Sequence, residues 1–173
     1  MRTRTLVLLA AVLTVVPIGL AGVAQAWRTP EPVSVPPAAA RTHTSAAGQA
    51  LGVLRQWDGR RSAAWAAGDV RRLARLYLPG SRTGRRDVAD LRRWVDRGLR
   101  VTGLRQQVAS LRVVAATSSR ITAIVVDRTV DGVAVGRERR LAVPSSAWTT
   151  HRIRLARTSG GWRIGEVRAQ PAR

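Results

Sequence analysis

The spacing of the apolar residues changes at Leu99, and this change constrains the fold more than any other feature of the sequence. Before Leu99, apolar side chains recur every three or four residues, as along one face of an amphipathic helix. After Leu99 they recur every second residue, in stretches rich in β-forming residues near 107–117, 120–130, 133–143, 147–157 and 162–168. Helices followed by strands predict an α+β fold, in which three N-terminal helices pack on one curved antiparallel sheet.

Glycine and short polar residues divide the helical part into three helices. Gly68 is expected to close the first helix in the left-handed conformation that glycine adopts readily, and Asp69 to cap the second. Pro79-Gly80 ends that second helix. Asp87, followed three residues later by Asp90, predicts the N-terminal cap of the third.

Two turns give the order of the strands. Asp131-Gly132 is a two-residue hairpin signal, because both residues tolerate a positive φ. Ser159-Gly160-Gly161 joins the last two strands in the same way. We therefore expect each strand to pair with the next one along the chain.

The first 26 residues have the order of a secretory signal peptide. Arg2 and Arg4 precede an uncharged apolar run that ends in Ala24-Gln25-Ala26. The run, residues 5–24, would serve as a membrane anchor if it is not cleaved. Either way, the sequence predicts that the chain works outside the cytoplasm, secreted or anchored to the cell membrane. Residues 27–46, rich in Pro and Ala, predict an extended linker, and residues 47–169 a single α+β domain.

Arginine supplies all the basic charge of the chain. The 30 basic and 10 acidic residues give a net charge of +20, and Lys is absent. A charge of this size attracts anionic lipid or envelope polymer, although a genome rich in G and C would favour Arg over Lys without any binding role. No aromatic residues alternate with the arginines, and export limits access to nucleic acid, so nucleic-acid binding is disfavoured. The absence of Cys excludes disulfides and thiolate chemistry.

Two stretches of the sequence resemble motifs of a known protein family. They are Ala63-Ala64-Trp65-Ala66-Ala67-Gly68-Asp69 with Leu73, Leu76-Tyr77 and Pro79-Gly80-Ser81, and Gly160-Gly161-Trp162-Arg163-Ile164. Over residues 47–169, their order is similar to that of the nuclear transport factor two-like superfamily, which includes SnoaL-like and ketosteroid-isomerase-like domains. The resemblance implies a cone-shaped, cystatin-like roll with a pocket at its wide end. Members serve as enzymes, ligand binders and dimerisation modules, so the fold leaves the function open.

Eight residues are candidates for the lining of such a pocket, from their spacing on helices and strands and from the resemblance. Each also has a structural interpretation: an ion pair for a carboxylate, core packing for an aromatic ring, or a satisfied hydrogen bond for a histidine. One His in the domain and no Cys make a metal site unexpected, and no cofactor motif is present. The candidates are Trp57, Asp58, Arg61, Trp65, Tyr77, Asp127, His151 and Glu166.

Three functions agree with these features. Because no catalytic set of the family is reproduced, the preferred interpretation is a non-enzymatic module that binds a partner protein or a small apolar ligand. The alternative is a small isomerase, cyclase or dehydratase, in which Asp127 or Glu166 abstracts a proton and Tyr77 or His151 stabilises the oxyanion. The third is adsorption of the arginine-rich surface to anionic lipid or polymer. The oligomeric state stays open, a homodimer included.

Overall fold

The computed structural model describes residues 37–171, and the side chains from residue 45 onward. The predicted signal peptide or anchor, residues 1–26, and the first part of the predicted linker lie outside the described residues. In the described part, no helix is both long and apolar enough to cross a membrane.

The described chain opens with the helices α1 (Pro37–Ala67), α2 (Val70–Ala74) and α3 (Arg82–Val95). The linker prediction for residues 27–46 is wrong from Pro37 onward, because α1 begins there. Proline is accepted in the first turn of a helix, and the alanines that follow it have the highest helix propensity. The boundary between α1 and α2 is confirmed: Gly68 has a φ of 66°, and the Asp69 side chain accepts a hydrogen bond from the backbone N–H of Arg72.

The N-terminal cap of α3 differs from the prediction. Ser81 is the cap, and its hydroxyl accepts a hydrogen bond from the backbone N–H of Gly84 at 3.0 Å. Asp87, the predicted cap, lies in the middle of α3 and is buried. Ser and Asp are equally good capping residues, so local spacing does not decide between them.

The strands divide into two antiparallel sheets, where the sequence predicted one curved sheet. Within residues 100–169 they are β1 (Arg100–Thr102), β2 (Arg105–Ala116), β3 (Arg120–Val130), β4 (Val133–Val135), β5 (Arg140–Ala142), β6 (Thr149–Thr158) and β7 (Gly161–Ala169). One antiparallel sheet has the order β2-β3-β6-β7, and the other β1-β4-β5. The predicted strand 133–143 is divided into β4 and β5, which pair with each other.

Asp131-Gly132 does not form the predicted hairpin. Asp131 has the expected positive φ, 64°, but it leads from β3 in one sheet to β4 in the other. Opposite it, Gly103 leads from β1 to β2 with a φ of 71°, and a Cβ on Gly103 would lie 2.8 Å from the Asp131 carbonyl oxygen. The pairing of β1 with β4 continues the register in which β2 pairs with β3. The two sheets are therefore joined as a continuous ribbon through a close backbone approach.

The core lies between the helices and the four-stranded sheet. Alternate residues of β3 are buried, from Ile121 to Asp127. The outer edge of β7 is covered by the segment after α2, since Ile164 exchanges backbone hydrogen bonds with Leu76 and Leu78. The largest fully buried side chains are Leu73, Leu91, Val101, Ile121, Val125 and Ile164.

Candidate functional site

A cavity of about 440 Å³ is lined by residues of α1, α3 and the four-stranded sheet. This volume is within the range of small-molecule sites. Leu54, Val108 and Ile153 are among its apolar lining residues. Its charged lining residues are Asp58, Asp87, Asp90 and Asp127 with Arg55, Arg61, Arg86 and Arg105.

The structure brings most of the candidate residues together around this cavity. Trp65 is buried behind its wall, where the indole Nε1 donates a hydrogen bond to Asp87 Oδ1 at 3.2 Å. Glu166 lies outside it. The six that line the cavity are Trp57, Asp58, Arg61, Tyr77, Asp127 and His151.

A β-bulge explains why Glu166 lies outside the cavity, although the sequence predicted it to line the cavity. Alternation along β7 predicted that Glu166 shares the buried face of Trp162 and Ile164. In the structure Ile164 pairs with Leu155 and Glu166 with Arg154, which leaves Gly165 as an extra residue. The extra residue reverses the alternation, so that Ile164 and Val167 line the cavity while Glu166 does not. The Glu166 carboxylate instead accepts a hydrogen bond from the Thr83 hydroxyl at 2.9 Å.

Asp87 is the centre of a buried hydrogen-bond network at the cavity wall. The Arg61 guanidinium donates to both of its oxygens, from Nε at 2.8 Å and from the terminal nitrogen at 2.6 Å. The Tyr77 hydroxyl donates to Oδ2 at 2.6 Å, and the Trp65 indole donates to Oδ1. The guanidinium also lies 5.8 Å and 5.6 Å from the ring centroids of Trp57 and Trp65. The side chains of Arg61, Asp87 and Tyr77 therefore find hydrogen-bond partners in one another.

The surroundings of Tyr77 and Arg61 in this network shift the pKa of both side chains. Burial raises the pKa of the Tyr77 hydroxyl, and the negative charge of Asp87 raises it further. The hydroxyl therefore stays protonated and donates a hydrogen bond to Asp87. Burial alone would lower the pKa of Arg61, but the hydrogen bonds and charge of Asp87 outweigh it and raise that pKa. Sequence reasoning missed Asp87 as a site residue. Its position four residues before the buried Leu91 places it on the apolar stripe of α3, and that spacing was the available signal.

Asp127 and His151 form a second polar pair in the cavity. They are diagonal neighbours on β3 and β6, since His151 pairs with Val125 and Asp127 pairs with Thr149. Asp127 is only 4 % exposed, and its Oδ1 lies 2.6 Å from His151 Nδ1. The carboxylate is therefore placed to accept the Nδ1 proton, which leaves Nε2 of the neutral ring as the proton-accepting nitrogen. No hydrogen bond to Nε2 occurs among the side chains that the structure describes.

Asp58 keeps one carboxylate oxygen without a partner. Its Oδ2 accepts a hydrogen bond from the backbone N–H of Gln106 at 2.9 Å, whereas Oδ1 is buried without a partner in the described part of the chain. Burial raises the pKa of Asp58, and the Gln106 hydrogen bond and the nearby Arg61 and Arg105 offset only part of this rise. Asp58 and Arg61 lie three residues apart on α1 but do not form an ion pair, because Arg61 binds Asp87 instead.

Among the described residues, no group of three or more His, Cys, Asp or Glu side chains is arranged to hold a metal ion.

Comparisons with known proteins find solved structures that are similar to this chain at low sequence identity. No protein-family model and no curated protein matches the sequence. Among solved structures, an NTF2-like protein with a cystatin-like fold from Novosphingobium aromaticivorans is 17 % identical, with 76 % of this chain and 86 % of that one covered and a TM-score of 0.41. A domain of unknown function with a cystatin-like fold from Nostoc punctiforme is 16 % identical, with 75 % and 79 % covered and a TM-score of 0.43. The intermembrane space region of the chloroplast protein ARC6 is 14 % identical, with 73 % and 97 % covered and a TM-score of 0.48. Two of these neighbours are described as having a cystatin-like fold, and one of the two as NTF2-like, the superfamily that the sequence resembles.

Proposed function

We propose that this protein binds a small, largely apolar molecule in the cavity and exchanges a proton with it through His151. The observation that carries the proposal is the 2.6 Å contact between His151 Nδ1 and the buried carboxylate of Asp127, because both residues line the cavity. The proposal joins the small-ligand interpretation of the sequence to its acid–base alternative.

The Asp127–His151 pair has the parts that general acid–base catalysis needs. Asp127 orients the imidazole and stabilises the imidazolium that forms when Nε2 accepts a proton. A base of this kind removes a proton from a carbon next to a carbonyl group. Return of the proton to another carbon gives an isomerisation, and its delivery to a leaving hydroxyl gives a dehydration.

The cavity also supplies positive charge for a developing oxyanion. Tyr77 is not available for this role, because its hydroxyl donates to Asp87. Arg55 and Arg86 line the cavity, and neither forms an ion pair with a described residue. We assign to Arg55 and Arg86 the stabilisation of the oxyanion that was expected of Tyr77.

Binding without turnover is the second candidate, and the network around Asp87 favours it. Arg61, Tyr77 and Trp65 all bind that one carboxylate, so much of the polar lining is already satisfied within the protein. A cavity of this kind would accept an apolar ligand with few polar contacts.

A binding assay tests the part that both candidates share. Val108 lines the cavity, whereas Val114 lies on the same strand and is 44 % exposed. N-phenyl-1-naphthylamine, a neutral fluorescent dye, should bind to the wild type and to Val114→Trp but should lose at least about tenfold in affinity for Val108→Trp, because the larger side chain fills the cavity. Equal affinity for both variants would show that the dye does not bind in this cavity.

An exchange assay separates the two candidates. Small cyclic ketones that displace the dye are incubated with the protein in D₂O, and exchange of the protons next to the carbonyl is followed by NMR. We expect His151→Gln to keep its affinity for the ketones and to lose about 100-fold or more in exchange rate, since that is the usual contribution of a general base. Binding of the ketones with no exchange above that of His151→Gln would leave a binding protein and refute the proton transfer.

A further inference from the structure

The four-stranded sheet has a second face, turned away from the cavity. Ile121, Ala123, Val125 and Asp127 are buried on the inner side of β3, so the residues between them point outward. Outward residues of this strand and its neighbours, together with the loop before β6, form a surface that we call the outer sheet face. It contains Arg112, Ile124, Arg128, Trp148, Arg152 and Arg168.

Three arginines form one row across this face. Arg112 pairs with Ile124, Ile124 with Arg152, and Arg152 with Arg168, so the row crosses all four strands. All three arginines are exposed. Like charges placed directly opposite each other on neighbouring strands, as Arg152 and Arg168 are, destabilise a sheet. An anionic surface beneath the row would relieve this repulsion.

Apolar groups accompany the arginines on the same face. Trp148 is 44 % exposed, and the Arg128 guanidinium lies 4.6 Å from the centroid of its ring. Ile124, which lies within the row, and Val126, two residues further along β3, are half-buried. Tryptophan and arginine together suit the boundary between lipid headgroups and acyl chains, because each combines an apolar body with a polar end.

We infer that the outer sheet face docks on a membrane surface of anionic phospholipid. A second copy of this chain would place one row of arginines against another. A soluble polyanion would neutralise the arginines but would leave Trp148 exposed, whereas a lipid surface engages both. The inference is independent of the cavity, which lies on the other side of the sheet.

A site-specific label on the full chain tests which face meets the membrane. The sequence has no Cys, so Ser110→Cys places a single label on the outer side of β2, and Ala74→Cys places one on the exposed side of α2. With an environment-sensitive nitrobenzoxadiazole label, the fluorescence at position 110 should rise on vesicles of phosphatidylglycerol and phosphatidylcholine and stay constant on phosphatidylcholine alone. The label at position 74 should not respond. Because both proteins keep residues 5–24, insertion of that run affects them alike, and an equal response at both positions would overturn the inference.

Charge-matched variants test the row itself. Arg152→Gln/Arg168→Gln and Arg71→Gln/Arg92→Gln each remove two exposed arginines, the first pair from the outer sheet face and the second from α2 and α3. Near an anionic membrane each arginine contributes about fivefold in partitioning, so the first variant should bind the mixed vesicles roughly 25-fold more weakly, and the second should lose much less. Equal losses would show attraction by net charge alone and would refute a specific face.

Trp148→Ser should also weaken vesicle binding without affecting the binding of soluble polyphosphate; if it weakens neither, the partner is a polyanion and the lipid assignment is wrong.

Discussion

Removal of the Asp87 carboxylate is the most direct test of how the cavity wall is held together. In Asp87→Ala the Arg61 guanidinium loses both of its hydrogen bonds, although its side chain is only 16 % exposed. A buried charge left without its partner costs about 3–5 kcal/mol. Tyr77 and Trp65 also lose their acceptor, at positions that are buried. We expect a loss of about 4 kcal/mol in the free energy of unfolding, which for a domain of about 125 residues lowers Tm by roughly 15 °C.

Asp90→Ala is the matched control for this change. Asp90 lies on the same helix, and its carboxylate pairs with Arg93 at the exposed surface. Such pairs contribute about 0–1 kcal/mol, so this variant should unfold close to the wild type. Urea unfolding followed by circular dichroism measures both. If Asp87→Ala loses no more stability than Asp90→Ala, the network does not hold the cavity wall.

Arg61→Met/Asp87→Ala separates the unpaired charge from the lost contacts. Removing both charged partners should recover part of the stability, because no buried charge is then left alone. A double variant that is less stable than Asp87→Ala by the full cost of Arg61→Met would show that the two residues act independently.

Four further variants test the pKa and packing inferences. Burial raises the pKa of Asp58 above 3.8, so the folded state binds this proton more tightly, and stability should fall as pH rises from 3.8 through the raised pKa. Asp58→Asn should remove that slope from the urea-unfolding curve against pH, and parallel curves would contradict it. Gly84→Ala should destabilise by about 1–3 kcal/mol, because its Cβ would lie 2.6 Å from Tyr77, whereas Gly59→Ala, with open space around it, should stabilise α1 by about 0.5–1 kcal/mol. Gly103→Ala should destabilise by about 1–3 kcal/mol, because its φ of 71° and the carbonyl oxygen opposite both exclude a side chain. Thermal unfolding checks the three glycine predictions, and an unchanged Tm in Gly84→Ala or Gly103→Ala would refute the contact concerned.

The site could be predicted in part, because its lining follows local periods. Helical spacing placed Trp57, Asp58 and Arg61 on one wall, and strand alternation placed Asp127 and His151 on another. The same alternation failed for Glu166, because the bulge depends on how β6 and β7 pair, and Gly165 within the strand was its only local signal. Export, by contrast, stays a prediction, because residues 1–26 lie outside the described part of the chain.

The sequence by itself determined the features that depend on neighbouring residues. These are the α+β class, the boundary at Gly68 and Asp69, and the turn before Gly161. Only the tertiary structure decided that Asp87 collects hydrogen bonds from Arg61, Trp65 and Tyr77 rather than capping a helix. The physical reason is that caps, turns and periods are fixed by short-range sterics and hydrogen bonds. The partner of a buried carboxylate, in contrast, is chosen by residues that are distant in sequence and become neighbours only on folding.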